Sequence, residues 1–467
     1  MRIAVAGARG YVGSRLIPAA IAAGHTVVAL SRRAGELPPV DGVEPVAADV
    51  ADREVLTAAL DECDLAYYLV HSMASGAGFA ERDGELARAF AAAASAAGVG
   101  RIVYLGGLGG AVLSEHLASR HEVGRLLAGV GVPVVELRAA VVLGSGSISF
   151  EMLRYLTERL PAMVCPRWIR TRLQPIAERD LLAHLLKAAD PSVPAGVYEV
   201  GGPDVTTYRQ MIDAYARVRG LRRRRIIDVP LLTPSLSARW VDLVTPVDRS
   251  TSHALIESLG TEVVVTDRER TADVFALETM GVDEAIADAL QTQDAAMPGL
   301  LFDVPTGVHE GVYAMHEHAT VGRDDLDSVC EGLMRCGGDL GWYGLPWAWK
   351  LRILIGKPFG ERLELYRPPA VVEGARVDWW TVAAVTPSSL VLRTDKLFCG
   401  EAWLGYRVER GDDPNVVQVG ALRSRGLLGV VYWRLVWPIH LIVFEVMAKQ
   451  QAKVKKARAE NKNSQPT

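Results

Sequence analysis

The sequence predicts an α/β fold with a doubly wound parallel sheet, followed by a smaller α+β domain. Three observations support this prediction: strand and helix patterns alternate from the first residues, a glycine-rich turn follows the first strand, and the pattern changes after residue 298. Such alternation is typical of a parallel sheet with helices on both faces. At 467 residues the chain is too long for one core, so two to three domains are expected.

The first part of the chain contains short apolar runs separated by amphipathic or alanine-rich stretches. The runs predict strands at 3–6, 26–30, 44–47, 65–70, 101–105 and 133–137, and the stretches predict helices near 11–23, 52–60, 79–97 and 115–129. From about residue 144 to 298 the pattern is irregular, with short helices near 151–159, 178–189 and 208–219. We interpret residues 1–298 as one domain that includes a smaller lobe from about residue 144.

The second part of the chain is rich in tryptophan and in alternating apolar and polar residues. Three alternating segments predict an antiparallel sheet within residues 305–450, at 377–383, 389–394 and 401–409. The apolar stretch 426–447 predicts a long helix packed on these strands, and a basic, flexible tail follows at 451–467.

The apolar stretch 426–447 resembles a membrane span in length. Arg434, His440 and Glu445 interrupt it, and Pro438 lies at its centre. These residues favour a helix of the α+β domain. The alternative is a peripheral membrane contact through Trp433, Trp437 and the lysines that follow.

Composition is that of an ordinary globular protein. Hydrophobic residues make up 49% and charged residues 23%, and the formal net charge of -4 gives no general attraction to nucleic acid or to a membrane. Five cysteines without C-x-x-C spacing favour reduced thiols over a disulfide framework or a zinc site. Because the chain opens directly on a strand, we expect no signal peptide and a cytoplasmic protein.

The most informative motif is the turn after the first strand, where Gly7, Gly10 and Gly13 stand three residues apart. In a strand–turn–helix unit, such glycines permit a tight turn, a close approach of the backbone to a pyrophosphate, and close helix packing. The helix N-terminus then offers free N–H groups to the phosphates. The motif predicts a dinucleotide site of Rossmann type, which also includes Arg9, Tyr11 and Val12.

The end of the second strand indicates which dinucleotide is bound. Ser31, Arg32 and Arg33 stand where NAD-preferring sites usually carry an acid, and arginine suits a 2′-phosphate, so NADP is favoured and NAD is the alternative. Ligands of open α/β sheets lie beyond the carboxyl ends of the strands. The remaining predicted cofactor contacts are therefore Asp49, Val50, Val70, His71, Ser72 and Gly106, although Asp49 or the nearby Asp52 is also suited to cap a helix.

Several short sequence segments resemble the short-chain dehydrogenase/reductase superfamily in its extended and atypical branches. YYLVHSM at 67–73 and YLGGLG at 104–109 are similar to a bacterial subgroup in which a Rossmann domain is fused to a second domain. GEAWLGYRV at 400–408 is similar to that second domain, and the resemblance implies a helix-grip fold with an apolar cavity. It also implies that the lobe from about residue 144 binds substrate.

The catalytic residues of that superfamily are replaced in this sequence. The family pattern is a serine or threonine after the fifth strand, then a tyrosine with a lysine four residues later. Gly107 stands near the hydroxyl position, His116 at the tyrosine and Arg120 at the lysine. A histidine suits proton transfer and an arginine suits a ribose or phosphate, so His116 and Arg120 are the catalytic candidates, and Arg120 is also a cofactor contact. Equally, both residues can bind the cofactor without chemistry. Ser72, His71, Ser114 and Tyr104 are secondary candidates.

Other polar and aromatic clusters favour structural interpretations. His316 and His318, with His309 and Glu310 nearby, indicate a solvated strand face rather than a metal site, and no metal is expected. The four arginines at 222–225 favour a solvated turn over a phosphate site. The tryptophans at 342, 347, 349, 379 and 380 favour core packing over a ligand cavity.

The sequence therefore predicts an NAD(P)H-dependent oxidoreductase that acts on an apolar small molecule, with the C-terminal domain helping to bind substrate. Two alternatives stay open: a non-catalytic NAD(P)H-binding sensor or assembly factor, and an isomerase or epimerase that uses the nicotinamide transiently.

Overall fold

The computed structural model divides the chain into two compact units. Unit 1 comprises residues 1–157 and 161–293, and unit 2 comprises 158–160 and 294–467. The structure describes residues 1–37, 39–71, 78–109, 114–165, 167–228, 260–304, 306–309, 312–337, 346–361, 363–411, 413–424 and 426–453.

Unit 1 is built on a parallel sheet of seven strands. In chain order they are β1 (Arg2–Ala6), β2 (Thr26–Ser31), β3 (Val43–Ala47), β4 (Leu65–Tyr68), β5 (Arg101–Gly107), β6 (Val134–Ala139) and a late strand, β11 (Gly196–Val200). Their spatial order is β11-β6-β5-β4-β1-β2-β3, which is the doubly wound order with one strand added. The predicted fold class is confirmed for this part of the chain.

Helices cover both faces of this sheet. The first four are α1 (Tyr11–Ala22), α2 (Arg53–Ala59), α3 (Phe79–Ala96) and α4 (Glu115–Ala128). Successive residues of a strand point to opposite faces, so Ile3 and Val5 pack in one core while Ala4 and Ala6 pack in the other. All four side chains are fully buried, which explains why the first strand is apolar without alternation.

A smaller lobe follows β6, as the irregular sequence pattern predicts. The helices after β6 are α5 (Ile148–Arg159), α6 (Glu178–Ala188), α7 (Tyr208–Val218), α8 (Arg268–Phe275) and α9 (Val282–Leu300). Of these, α6 and α8 pack on the parallel sheet, because Leu185 and Phe275 belong to the same core as Ile3. The short strands of the lobe pair two by two: β7 (Val142–Leu143) with β10 (Ile176–Ala177), β8 (Ala162–Cys165) with β13 (Arg225–Asp228), and β9 (Arg172–Leu173) with β12 (Thr206–Thr207). The α7 helix is amphipathic and places Met211, Ile212 and Tyr215 in the interior.

Unit 2 contains an antiparallel sheet of seven strands with helices on one face. The strands are β14 (Gly307–His309), β15 (Val312–Thr320), β16 (Arg376–Val377), β17 (Trp380–Thr386), β18 (Ser389–Leu397), β19 (Gly400–Glu409) and β20 (Asn415–Ser424), in the order β14-β15-β20-β19-β18-β17-β16. The helices are α10 (Leu326–Leu333), α11 (Pro346–Gly356) and α12 (Gly426–Gln451). The predicted antiparallel sheet with a long terminal helix is confirmed.

Both faces of the second sheet are buried. Leu404 and Leu422 contribute to the core beneath the helices, whereas their neighbours Trp403 and Ala421 pack on the opposite face with Leu301. Across β19 and β20, Glu401 and Arg423 lie directly opposite each other. The Arg423 guanidinium is only 3% exposed and lies 3.0 Å from the Glu401 carboxylate, so its charge is compensated inside the sheet.

The α12 helix packs against β20 and β15 with one side. A side chain at Gly420 of β20 would overlap the Phe444 ring, which explains the close approach of helix and strand. Trp433, Val443 and Met447 are buried on this side, so Trp433 is not free for the membrane contact that the sequence offers as an alternative. Within the part of the chain that the structure describes, one helix segment, Leu428–Gln451, is long and apolar enough to cross a membrane, and 22% of its most apolar window is buried.

The cysteines are distributed over both units. Cys63 and Cys165 belong to unit 1, and Cys330, Cys336 and Cys399 belong to unit 2. All five side chains are buried, and Cys63, Cys330, Cys336 and Cys399 are free thiols. Burial raises the pKa of Cys63, Cys336 and Cys399, which keeps these thiols protonated at neutral pH.

Candidate functional site

The glycine turn lies at the carboxyl end of β1, between the neighbouring strands β2 and β4. Gly7 has a φ of +90°, and a Cβ at this position would lie 3.0 Å from the carbonyl oxygen of Leu69, which follows β4. The amide of Gly10 donates to the carbonyl oxygen of Gly7 at 2.9 Å. A Cβ at Gly13 would lie 2.2 Å from that same oxygen, so α1 starts against the turn only because this residue has no side chain.

A cleft of about 870 Å³ extends from this turn across the ends of β2, β3 and β4. It gathers most of the predicted cofactor contacts. Its lining includes Gly7, Arg9, Gly10, Ser31, Arg32, Arg33, Asp49, Val50, Val70 and His71. Ser72 lies outside the described residues.

Four arginines line the cleft, Arg9, Arg32, Arg33 and Arg82, and they differ in their partners. Glu36 forms ion pairs with Arg9 at 2.5 Å and with Arg33 at 3.4 Å. Arg32 and Arg82 are exposed, and no ion pair is found for either of them among the described residues. Both are therefore available to an incoming phosphate, and Arg32 is the one that directly follows β2.

The structure separates the roles of the two aspartates that follow β3. Asp52 caps α2, since its carboxylate accepts from the amides of Glu54 and Val55. Asp49 lines the cleft, and one oxygen of its carboxylate accepts from the amide of Ala51 at 3.0 Å. This single local hydrogen bond leaves the Asp49 carboxylate with capacity to accept from a ligand.

A second pocket of about 280 Å³ adjoins the cleft, and the two share Gly10, Leu69 and His71. It also contains the predicted residues Tyr11, Val12, Gly13, Gly106, His116 and Arg120. Most of the other lining is apolar and includes Leu105, Leu108, Leu117, Val141, Ile148 and Met152. The pocket thus combines an apolar cavity with one polar end, formed by His71, His116 and Arg120.

The polar end is shaped by the absence of a side chain at Gly107. A Cβ at this position would lie 2.8 Å from Leu117 Cδ2 and 3.2 Å from Arg120 Cδ. A serine would therefore displace both side chains of α4. Glycine at this position is explained by packing against Arg120, which occupies the space where the superfamily pattern has a hydroxyl.

The Arg120 guanidinium has one donor that is hydrogen-bonded and one that is unpaired among the described residues. Its Nη2 donates to the carbonyl oxygen of Leu105, whereas its Nε is buried with no hydrogen-bond partner among the described residues. An unpaired buried donor is costly, so a ligand oxygen at this position is expected. This orphaned donor and the glycine turn fit an NAD(P) molecule that spans the cleft and the pocket.

The two pocket histidines are neutral at physiological pH. Removal from bulk water, followed by the positive charge of Arg120, lowers the pKa of His116 to about 3. The same causes lower the pKa of His71 to about 4, although solvent still reaches this side chain from the cleft. A neutral imidazole donates one hydrogen bond through its N–H, but it is a much weaker acid than the imidazolium ion and does not readily give up that proton.

The secondary candidates Tyr104 and Ser114 have structural roles. The Tyr104 hydroxyl donates to the carbonyl oxygen of Arg120 at 3.0 Å, and burial raises its pKa to about 12. The Ser114 hydroxyl caps α4 by accepting from the amide of Leu117.

Sequence reasoning missed the residues that the smaller lobe contributes. Met152, Tyr208 and Val263 line the pocket although they are far apart in the chain. Glu178 accepts a short hydrogen bond from the Tyr11 hydroxyl and lies 3.0 Å from Arg15 Nε. Nothing in the irregular pattern of this region signals these contacts.

The described residues of the histidine, four-arginine and tryptophan clusters of the sequence lie outside the cleft and the pocket of unit 1. Among the residues described, no group of three His, Cys, Asp or Glu side chains is arranged to hold a metal ion; Glu310 lies outside them. Of the four arginines, Arg223 forms an exposed ion pair with Asp213 at 3.3 Å. In unit 2, Trp349, Trp379 and Trp380 line an apolar cavity of about 130 Å³, while Trp342 is outside the described residues.

Comparison with known proteins agrees with this geometry. Residues 7–127 match a family model described as NAD(P)H-binding, and residues 308–447 match a family described as a protein of unknown function, DUF2867. No curated protein sequence matches the chain.

Solved structures that resemble the chain cover about 62% of it. A nucleoside-diphosphate-sugar epimerase from Staphylococcus aureus is 16% identical, with a TM-score of 0.51 over 62% of this chain and 100% of its own. A triphenylmethane reductase from Citrobacter sp., complexed with NADP(H), is 17% identical, with a TM-score of 0.51 over the same shares. These likenesses establish the fold. The chain is therefore similar to NAD(P)H-binding domains over residues 7–127 and to the DUF2867 family over residues 308–447.

Proposed function

We propose that the protein is an NADPH-dependent reductase of an apolar small molecule, which binds in the 280 Å³ pocket of unit 1. The observation that carries this proposal is the continuity of that pocket with the dinucleotide cleft through Gly10, Leu69 and His71. A reductase needs its cofactor and its substrate in adjoining sites, because hydride transfer requires contact between the reacting atoms.

NADPH is preferred to NADH in this proposal because of Arg32. The cleft has this available cation at the end of β2, where a 2′-phosphate is bound in NADP-dependent sites. The glycine turn and the N-terminus of α1 are suited to the pyrophosphate. The buried Nε of Arg120 is suited to a ribose hydroxyl or a phosphate oxygen.

Bound NADPH supplies the hydride. The sequence suggests His116 as the proton donor, but its lowered pKa leaves little imidazolium at neutral pH. We propose instead that neutral His116 donates a hydrogen bond from its N–H to the oxygen of a substrate carbonyl and stabilises the negative charge that develops there as the hydride adds to the carbonyl carbon. The apolar lining excludes bulk water, which strengthens this hydrogen bond. The resulting alkoxide takes its proton from solvent water that enters from the cleft beside the exposed His71.

Unit 2 is proposed to bind the apolar ligand as well, in keeping with a helix-grip-like role. Its cavity of about 130 Å³ is large enough for one ring of a ligand. The indole Nε1 of Trp380 is buried there without a hydrogen-bond partner among the described residues, and so is His440 Nδ1. A ring that carries a carbonyl or hydroxyl group would satisfy them.

The second candidate is a non-catalytic NAD(P)H-binding sensor. It is favoured by Gly107, which leaves the pocket without the hydroxyl group that the dehydrogenase pattern has at this position. A transient use of nicotinamide in an isomerase is the third candidate. Buried, free thiols in both units favour a cytoplasmic location for any of the three.

NADPH oxidation against a panel of carbonyls, quinones and enones tests the proposal. We expect turnover with apolar members of the panel and a loss of kcat of about 100-fold in His116→Ala. His25→Ala is the matched control, since this histidine lies outside both pockets. Because His116 acts as a neutral group, kcat should be flat between about pH 5 and about pH 8.

Three outcomes would contradict the reductase proposal in different ways. NADPH binding without oxidation by any member of the panel supports the sensor. An isomerised product without net NADPH consumption supports the isomerase. Full activity in His116→Ala would show that this residue takes no part in the reaction, and would not bear on the proposed cofactor site.

A further inference from the structure

The α12 helix has a second apolar side, opposite the side that packs on the sheet. Its side chains recur at steps of three and four residues, which places them on one face of the helix. They are Leu428, Val431, Leu435, Ile439 and Ile442, between 40% and 71% exposed. We call this set the outer face of α12. An exposed apolar surface of this extent is unusual for a protein that does not use it.

The α11 helix and the turn after it continue the exposed apolar surface. Trp347, Leu354 and Phe359 are each at least half exposed. Phe359 stacks on Phe398 with ring centroids 3.9 Å apart, and Phe398 contacts the Tyr432 ring of α12 edge-on. These aromatic contacts join the exposed apolar residues of α11 and α12 into one side of unit 2.

The tryptophan-lined cavity lies between the same two helices. Arg352 and Ile355 of α11 and Val436 and His440 of α12 line it, as does Ile439, which also belongs to the outer face. Arg352 does not offer a free charge to the cavity, because Glu361 accepts from it at 2.8 Å and 3.1 Å. The cavity therefore adjoins the exposed apolar surface through an apolar rim.

The charges around this surface are mostly positive. Among the described residues of α11, its following turn and α12 with Lys453, the exposed acid is Glu445, and it is paired with Lys449. The exposed cations are Lys350, Lys357, Arg434, Lys449 and Lys453. The steps of three and four residues along the outer face lead directly to Lys449 and Lys453, and the sequence continues with Lys455, Lys456 and Arg458.

We propose that unit 2 docks on an anionic membrane surface through the outer face of α12 and the exposed side chains of α11. Apolar side chains enter the boundary between headgroups and acyl chains, Trp347 lies at that boundary, and the lysines bind anionic headgroups. The rim of the cavity is then in contact with lipid, which gives an apolar ligand a route from the bilayer into unit 2.

A second copy of the chain and a membrane-spanning helix account for this surface less well. Association of two copies through this face would bring the cations of both surfaces together, which disfavours it. A membrane-spanning α12 would have to leave the sheet, because Trp433, Val443 and Met447 are buried against it. The proposal does not depend on reductase activity.

Flotation of the full-length protein with vesicles tests the proposal. We expect it to bind vesicles of phosphatidylcholine with phosphatidylglycerol, to bind phosphatidylcholine alone more weakly, and to lose binding as salt is raised. The double variant Leu435→Glu/Ile442→Glu should lower the bound fraction by about tenfold. Lys449→Glu/Lys453→Glu should weaken binding to the anionic vesicles only.

The controls separate docking from folding and from the cofactor site. Ile227→Glu changes an isoleucine of unit 1 that is 59% exposed, compared with 61% for Ile442, and should bind vesicles as the unchanged protein does. NADPH binding, measured by fluorescence, should be retained in all variants. No binding to anionic vesicles, or a dimer in light scattering that Leu435→Glu/Ile442→Glu dissociates, would overturn the proposal.

Discussion

Replacing Arg32 by alanine removes the cation that directly follows β2 in the dinucleotide cleft. Arg82 of α3, the other cleft arginine without an ion pair among the described residues, is retained. Arg33 differs from Arg32 although the two are adjacent, because its guanidinium lies 3.4 Å from the Glu36 carboxylate. We therefore expect the preference for NADPH over NADH to depend on Arg32 much more than on Arg33.

The size of the effect follows from the contact that is lost. A hydrogen bond to a charged group contributes about 1.5–3 kcal/mol, and about 1.4 kcal/mol corresponds to a tenfold change in affinity. Because Arg32 is exposed, we expect the lower half of that range. In Arg32→Ala, the Kd for NADPH should rise by about 12- to 40-fold, while the Kd for NADH changes by less than about twofold.

The assay is titration of the purified protein with each nucleotide, followed by nicotinamide fluorescence. Arg33→Ala is the matched control, with a smaller rise in the Kd for NADPH. Glu36→Gln should lower that Kd, because it releases Arg9 and Arg33 from their shared carboxylate. Equal losses for the two nucleotides in Arg32→Ala, or a larger loss in Arg33→Ala, would refute this reasoning.

Two further predictions concern the stability of each unit. Gly13→Ala places a Cβ 2.2 Å from the Gly7 carbonyl oxygen, so it should abolish NADPH binding and lower the free energy of unfolding in urea by about 1–3 kcal/mol. Gly35→Ala is the control and should change neither, because its Cβ meets no atom within 4 Å. If the two variants bind NADPH and unfold alike, the steric role of Gly13 is refuted. Burial and the charge of Arg352 lower the pKa of His440 to about 4. Between about pH 6.5 and pH 4, this histidine is therefore protonated in the unfolded chain but not in the folded chain. The free energy of unfolding of unit 2 should consequently fall by about 3 kcal/mol as the pH is lowered to 4. His440→Phe should reduce that fall in acid unfolding experiments, and an unchanged pH dependence would mean that another group is responsible.

The elements that the sequence predicts well are those with local signals. The turn at Gly7, Gly10 and Gly13 is a local signal of seven residues, and the structure shows that a Cβ at Gly13 would collide with the Gly7 carbonyl oxygen. By contrast, β20 escapes prediction, because nine of its ten residues are buried and apolar–polar alternation is lost in a sheet covered on both faces. The strand Gly196–Val200 is hidden by the irregular pattern of the smaller lobe.

The residues of the candidate site also fall into those with a local sequence signal and those without one. Residues of the dinucleotide cleft follow strands directly, so the rule that ligands lie beyond carboxyl ends of strands finds most of them. Met152, Tyr208 and Val263 enter the pocket through tertiary folding alone. The protonation state of His116 also needs the structure, since it depends on how much protein surrounds the ring and on its nearness to Arg120.

The five buried thiols give the protein a built-in reporter of local opening. A thiol reagent reacts only when a segment opens far enough to expose the sulfur, so labelling rates measure the free energy of that opening. Cys63 and Cys165 report on unit 1, while Cys330, Cys336 and Cys399 report on unit 2. Mass spectrometry of labelled peptides can thus follow the two units separately in the unchanged protein, and show which of them is protected by NADPH and which by lipid.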